Sequence, residues 1–231
     1  LVMMNTIDLE NSDVTELNQK LHDVNGTKDK SEWQILNPKG RHNVAVGIDA
    51  PLKVKIDGHV GYYCAGMNKH ANVTVKGNVG PGVAENMMSG IVHVTGSASQ
   101  YAGATAHGGL LIIDGDASSR CGISMKGVDI LVKGSVGHMS AFMAQSGRLV
   151  ICGDAGDALG DSLYEAHIYV RGKIASLGAD CIEKPIKSKH QKELGKLLKD
   201  AGVNDIDVSE FRRYGSARKL YNFDVDNVDV Y

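Results

Sequence analysis

The stretch Val54–Met67, VKIDGHVGYYCAGM, decides the fold because its glycine at position 58 recurs along the chain at a fixed spacing. The structural repeat consists of Gly58, Gly77, Gly96, Gly115, Gly134, Gly153 and Gly172, and the spacing is the same at every step. A constant period of about 20 residues is typical of a solenoid, in which each repeat forms one coil. The repeat therefore predicts about seven 19-residue coils.

The residues around each repeat glycine indicate what one coil contains. Two and four residues before the glycine, every coil carries Val, Ile or Leu, as at Val54 and Ile56. Three and seven residues after it, every coil carries Gly, Ala or Ser. The alternation fits a strand with one buried face, and the small residues fit corners where stacked backbones approach closely. The predicted fold class is all-β: a single-stranded parallel β-helix, right-handed as β-crossovers usually are, with helical or extended capping segments at both ends.

The ends of the chain lack the repeat and are predicted to cap it. We expect a capping segment with a short helix over 1–45, the β-helix over 46–182, and a helix followed by an extended tail over 183–231. The first helix is predicted to begin with Asp13 and Glu16 as a capping pattern and to end at Gly26. The second, in residues 187–203, is a basic amphipathic pattern ending at Gly202. The tail is expected to pack on a surface because it concentrates aromatic and apolar residues, at Tyr214, Leu220, Tyr221 and Phe223.

Two sets of outward-facing residues are candidates for an interface. Three residues before the repeat glycine, the last four coils carry an apolar stripe, which we expect to be covered by the terminal segments or by a partner. The first regular coil has its own aromatic edge, and two later coils place a charge where other coils have small or apolar residues. Those charges mark either solvent-exposed turns or a contact edge. The candidate interface residues are Tyr62, Tyr63, Glu85, Arg120, Ile112, Leu131, Val150 and Tyr169.

Composition and motifs argue against several classes of function. A net charge of −2 does not indicate the basic surface that binding to nucleic acid or to an anionic membrane requires. The chain has neither an apolar run long enough to span a bilayer nor a signal-peptide core, which predicts a cytoplasmic protein. Its four cysteines lack metal-ligand spacing and are expected to be buried, inert thiols, and its nine histidines are scattered in phase. No catalytic, cofactor-binding or metal-binding residue is predicted, because the repeat already explains the glycines of GNVGPGVAEN.

The repeat segments VKIDGHVGYYCAGM, VTVKGNVGPGVAENMMSG and LVKGSVGHMSAFMAQSG resemble the GXGXG β-helix domain at the C-terminus of the glutamate synthase large subunit. A subunit of formylmethanofuran dehydrogenase is a more distant likeness. Segments beyond the repeat, SLGADCIEK and EFRRYGSARKLYNF, resemble the β-helix subunit of the N-methylglutamate synthase (methylamine–glutamate N-methyltransferase) family. The resemblance covers about residues 35–223.

The resemblance implies a scaffold subunit, non-catalytic on its own, within a cytoplasmic hetero-oligomeric transferase. That complex would make N-methylglutamate and ammonia from methylamine and glutamate. The implied partners are a class II glutamine amidotransferase-like subunit and an FMN-binding glutamate synthase-like subunit. The implied cofactor, FMN, would lie in the partner rather than in this chain, and iron–sulfur clusters in that partner are left open.

Three alternatives stay open at this point. The same scaffold could serve a split glutamate synthase or another amidotransferase complex. A self-contained β-helix enzyme acting on a polysaccharide would need paired acids and aromatic platforms along one groove, which the sequence lacks. A binding module attached to no enzyme is the third alternative.

Overall fold

The computed structural model describes residues 4–218, so Leu220, Tyr221 and Phe223 of the predicted tail lie outside the described residues. Within that range the helices are α1, Val14–His22, and α2, Ser188–Asp200, and a 3₁₀ turn spans Val208–Glu210. The strands are β1 Met4–Asp8, β2 Glu32–Leu36, β3 Lys53–Asp57, β4 Asn72–Val75, β5 Ile91–Val94, β6 Leu110–Ile113, β7 Lys126–Val132, β8 Ser146–Ile151, β9 His167–Val170, β10 Cys181–Lys184 and β11 Arg212–Ser216. Neither α1 nor α2 has the length or the apolar composition to cross a membrane.

The predicted β-helix is confirmed by the strand ladder. Strands β1 to β9 pair in parallel in chain order, and from β3 to β9 the partners keep the 19-residue register, as in Ile56 opposite Val75, apart from one shift at Lys126 opposite Ser146. A second line of parallel bridges joins the residues two places after each repeat glycine, from Val60 to Ile174. Both columns lie in the main core, where the strand residues Ile56 and Val75 are fully buried. Each coil is therefore fixed to its neighbours along two lines.

The repeat glycine is required because a side chain of the preceding coil occupies the space where its Cβ would be. A Cβ on Gly134 would lie 2.2 Å from Asp116 Oδ1, and one on Gly115 would lie 2.3 Å from Ser97 Oγ. These oxygens accept hydrogen bonds from the next coil: the Ser135 N–H donates to Asp116 Oδ1 at 2.8 Å. Only Gly58 among the seven has a positive φ. The repeat glycine therefore serves close stacking of the coils, and most of the positive φ angles occur elsewhere in each coil.

Replacing Asp116 with alanine should destabilise the β-helix by about 1–2 kcal/mol, because the Ser135 N–H would lose its acceptor between two stacked coils. Asp116→Asn keeps an acceptor oxygen in the same place and should cost much less. Urea unfolding of the two variants measures the difference. Equal stability of the alanine and asparagine variants would show that this ladder of side-chain acceptors contributes little.

Positive φ angles occur in the turn segment of each coil, defined here as the residues four to nine places after the repeat glycine. In the first coil Tyr63, Ala65 and Met67 have φ values of 59°, 54° and 56°. Their N–H groups alternate in direction along the stack: Tyr63 and Met67 donate to Pro81 O and Glu85 O, and Ala65 donates to Val44 O. The turn segments therefore form a ladder of their own. A side chain in this left-handed region costs about 1 kcal/mol.

The N-terminal end is closed by α1. Asp13 Oδ1 accepts a hydrogen bond of 2.8 Å from the Glu16 N–H, as predicted, and Leu17 and Leu21 are fully buried in the core. The helix ends at His22, before the expected Gly26.

Strands β1 and β2 join the ladder although both fall within the predicted capping segment 1–45. Ile7 pairs with Ile35, and Ile35 pairs with Ile56. Both pairs are farther apart along the chain than the 19-residue period, so the strict repeat does not reach these strands. The ladder therefore begins earlier in the chain than the glycine repeat indicates.

At the C-terminal end, the segment that follows α2 returns to the sheet. Strand β11 lies antiparallel between β9 and β10, with Tyr214 opposite both Ile168 and Glu183. The Tyr214 side chain is buried, which confirms the expectation that this part of the tail packs on a surface. Helix α2 ends at Asp200, close to the predicted end at Gly202.

Candidate functional site

The apolar stripe is covered by the chain itself. Ile112, Leu131, Val150 and Tyr169 are all buried, and they form a second hydrophobic core with α2 and the segment after it. The residues on the covering side are Leu194, Leu197, Leu198, Ala201, Val203 and Phe211. The terminal segments and a partner were the two predicted covers for the stripe, and the C-terminal segment is the one that covers it in the structure. These four candidate interface residues therefore lie beneath α2. The other four candidates lie in the turn segments of the coils and are Tyr62, Tyr63, Glu85 and Arg120.

A charged cluster anchors α2 to the coils beneath it. Glu193, on α2, accepts hydrogen bonds from Arg148 Nε and from the Tyr169 hydroxyl, and its Oε2 lies 2.9 Å from His167 Nδ1. Arg148 also contacts Asp129 on the neighbouring coil, with Nη1 to Oδ1 at 3.1 Å. Only 16% of the Glu193 side chain is exposed. One carboxylate thus connects α2 to β8 and β9.

The pKa of Glu193 reflects these contacts. Burial alone would raise it, but the hydrogen bonds from His167, Tyr169 and Arg148 outweigh burial and hold the pKa at about 2. The pKa of Asp129 shifts upward, because its burial outweighs the attraction of Arg148. Glu193 is therefore ionised across the ordinary pH range, and its charge is compensated within the cluster.

The anchoring of α2 should weaken in acid. Because the folded-state pKa of Glu193 is below the ordinary value of 4.5, its ionised form stabilises the fold above pH 4.5. That stabilisation is lost as the pH falls through about 2. We expect the difference in unfolding free energy between the wild type and Glu193→Gln to stay constant from pH 6 to about pH 5 and then to shrink as the pH falls to about 2.5, because the loss occurs between the unfolded and the folded pKa of Glu193. Urea titrations across this range measure it, and a constant difference would contradict the assigned ion pairs.

Tyr62 and Tyr63 lie on the surface of the first regular coil, with 50% and 48% of each residue exposed. The Tyr62 ring stacks on His42 of the preceding turn, with centroids 4.1 Å apart and planes 17° apart. Tyr63 makes edge contact with Tyr62 at a centroid distance of 6.4 Å. The aromatic edge expected from the sequence is therefore present and open to contact.

Glu85 and Arg120 are half-buried on the same side of the β-helix, in the second and fourth coils. Arg120 Nη1 lies 3.4 Å from His138 Nε2 on the next coil, and its Nη2 approaches the Met139 sulfur at 4.0 Å. Within residues 4–218 neither Glu85 nor Arg120 forms an ion pair. The interface role of these two residues stays a prediction.

The structure adds residues to this surface beyond the eight candidate interface residues. We call the residues five and nine places after the repeat glycine in the first five coils the turn face. It carries exposed Met67 (52%), Tyr101 (38%) and Met143 (40%) beside Tyr63. The full set is Tyr63, Met67, Gly82, Asn86, Tyr101, Thr105, Arg120, Ser124, Met139 and Met143. A signal was available in the column five places after the repeat glycine, which is bulky in four of the first five coils, but the sequence cannot show which side of a turn faces solvent.

The thiols behave as predicted. Cys64, Cys121, Cys152 and Cys181 are all buried and free. Burial raises the pKa of Cys64 and Cys121 to about 12, and that of Cys152 and Cys181 to about 11, so all four stay protonated near neutral pH. Residues 4–218 contain no group of three or more His, Cys, Asp or Glu side chains placed to hold a metal ion.

The fold and this surface define a β-solenoid protein of the parallel β-helix class, with one apolar column covered by its own helix and an exposed apolar turn face. The chain is 60% identical over 228 residues to Protein GlxC of Rhizobium meliloti (strain 1021), a match that covers 99% of this chain and 100% of that protein. The chain belongs to the family of Protein GlxC. No family model matches the chain, and no solved structure matches it.

Proposed function

We propose that this chain is the scaffold subunit of a glutamate synthase-like complex, and more specifically of an N-methylglutamate synthase. The complex would form N-methylglutamate and ammonia from methylamine and glutamate. Its catalytic groups would belong to an amidotransferase-like subunit and an FMN-binding subunit, with this chain holding the two together in the cytoplasm. FMN, and any iron–sulfur cluster, would be bound by the partner.

The observation that carries the proposal is the pairing of the two segments that resemble this family beyond the repeat. SLGADCIEK contains β10, and EFRRYGSARKLYNF contains β11. The two strands pair antiparallel, with Cys181 opposite Ser216 and Lys184 opposite Arg213, and together they end the sheet. The described parts of these two segments thus form one structural element, which supports a shared architecture and not only a shared glycine repeat.

The architecture suits a spacer. Parallel coils stacked along two lines of backbone pairing resist bending, and their folding energy comes mainly from contacts between neighbours. The buried, protonated thiols are unsuited to nucleophilic chemistry. The equivalent subunit of a split glutamate synthase would share all these properties, so it is the second candidate.

Purification from the native cell tests the proposal. A tagged copy of the chain, expressed at its natural level, should copurify with an amidotransferase-like subunit and an FMN-containing subunit, identified by mass spectrometry and flavin absorbance. The purified complex should form N-methylglutamate when supplied with methylamine. A complex that uses ammonia or glutamine but not methylamine would favour the split glutamate synthase. Isolation of the chain as an active hydrolase without partners would overturn both candidates.

A further inference from the structure

The turn face combines large exposed side chains with an unfavourable backbone. Tyr63, Met67, Tyr101, Met139 and Met143 all have φ values between 53° and 63°. In this left-handed region glycine and asparagine fit better than bulky residues, and the same columns do carry Gly82 and Asn86 in the second coil. Bulky side chains therefore occupy strained positions where smaller ones are compatible with the fold.

Several of these side chains are only partly buried by the folded chain. About half of Tyr63 and Met67 is exposed, and Met143 is 40% exposed. By contrast, the residues seven places after the repeat glycine share the left-handed backbone but are Ala or Gly, such as Ala65, Ala84 and Ala141, and are fully buried. Because burial within the chain does not offset this backbone strain, we expect these side chains to be buried against another molecule.

The charge of this surface defines what it can contact. Arg120 lies among the apolar side chains, and Lys126 lies at the edge of the face, in the same coil. Neither forms an ion pair in the part of the chain that the structure describes, and Glu85 is the one carboxylate in the turn segments of the first five coils. Arg120, Lys126 and Glu85 together give this face and its edge a net charge of +1, although the whole chain has a net charge of −2.

We propose that the turn face is the docking surface for a partner subunit, which presents an apolar patch containing carboxylates. Methionine and tyrosine side chains fill an apolar contact adaptably, while Arg120 and Lys126 pair with the partner's carboxylates. A second copy of this chain is a poorer occupant, because it would bring the same cationic excess to the contact. The inference rests on the proposed function in that it takes the partner to be a subunit of the same complex.

Hydroxyl-radical footprinting of the purified complex tests which surface is covered. Oxidation of Met67 and Met143 should be at least fivefold slower in the complex than in the isolated chain. Met4, which is 59% exposed on β1, serves as the internal control and should keep its rate within twofold. A complex that assembles but leaves both methionines equally reactive overturns the docking surface while the proposed function stands. A chain with no partner overturns both.

A matched pair of variants separates contact from folding. Replacing Tyr63, Met67 and Met143 together with asparagine should weaken assembly at least a hundredfold, while the melting temperature stays equal or rises, since asparagine suits positive φ. The control is Ile182→Asn, which changes a 45% exposed side chain on β10 and should leave assembly unchanged. Equal assembly by the triple variant, or a loss of stability that explains its failure, contradicts the proposal.

The chemistry of the partner is tested by charge reversal. Arg120→Glu should weaken assembly at least tenfold and reduce its dependence on salt concentration, because a carboxylate on the partner would lose its counterion. If Arg120→Glu leaves assembly unchanged, the partner does not present a carboxylate to Arg120. Two other occupants of the turn face would give distinct results. Protection of Met67 in a dimer of the isolated chain would indicate a second copy of this chain. Faster oxidation of Met67 and Met143 after deletion of residues 219–231 would indicate that segment. Either result overturns the proposal that a partner subunit docks on the turn face.

Discussion

Replacing Gly134 with valine is expected to prevent the β-helix from folding or to destabilise it by roughly 3 kcal/mol or more. A Cβ at this position would lie 2.2 Å from Asp116 Oδ1 and 2.6 Å from the Gly115 carbonyl oxygen. The side chain of Asp116 could move, but the backbone of the preceding coil is held by the ladder on both sides. The stacked coils would have to separate, which breaks pairing along the strand and along the turn segment. Urea unfolding followed by circular dichroism measures the loss.

Gly195→Ala is the matched control for this prediction. Gly195 lies inside α2, and the nearest atom to an added Cβ is Val208 Cγ1 at 3.7 Å. Alanine should therefore stabilise the helix by about 0.5–1 kcal/mol, because glycine is a poor helix former. A Gly134→Val protein as stable as the wild type would contradict the close stacking of the coils.

Replacing Glu193 with alanine is expected to release α2 from the β-helix, weakening its docking by about 1–3 kcal/mol. The change leaves Arg148, His167 and Tyr169 without their shared acceptor in a partly buried cluster, although Arg148 keeps its contact with Asp129. Release of α2 exposes the apolar stripe beneath it, so hydrophobic dye binding should increase. Amide hydrogen exchange should accelerate in α2 and much less in β3 to β6.

The conservative and exposed controls for Glu193 lie in the same helix region. Glu193→Gln keeps the shape and an acceptor oxygen, so it should release α2 less than alanine does. Lys196→Ala removes an exposed pair with Asp200 and should change stability by no more than about 0.5 kcal/mol. If Glu193→Ala and Lys196→Ala behave alike, the cluster does not anchor α2.

The parts of the fold that repeat could be predicted from the sequence, because each coil meets the same physical constraints. The buried columns represented by Ile56 and Val75, and the glycines at close contacts, recur at a fixed spacing. Strands β1 and β2 belong to the same ladder but are not predicted by the glycine repeat, since α1 and an irregular turn lengthen their coils beyond the repeat period. The antiparallel insertion of β11 depends on contacts with β9 that are distant in the sequence, as between Tyr214 and Ile168, and no local pattern contains them.

The candidate site was predictable only in part. The sequence indicated the tyrosines at 62 and 63 and the apolar stripe, but it left open which terminal segment or partner would cover that stripe. The cover depends on a cluster in which Arg148 and Glu193 lie on elements far apart in the chain. The left-handed backbone of the turn face could not be read from the sequence either, because residues as bulky as Tyr101 and Met143 occupy it. Strain of this kind follows from the ladder of turn segments, not from local preference.

Reconstitution of the complex with and without this chain tests whether the chain is a non-catalytic scaffold. The amidotransferase-like subunit, the FMN-binding subunit and this chain are purified separately and assayed for N-methylglutamate formed from methylamine and glutamate. We expect product only when all three are present, and none from this chain alone. Full activity from the two partners without this chain, or activity of this chain by itself, would contradict its role as a non-catalytic scaffold.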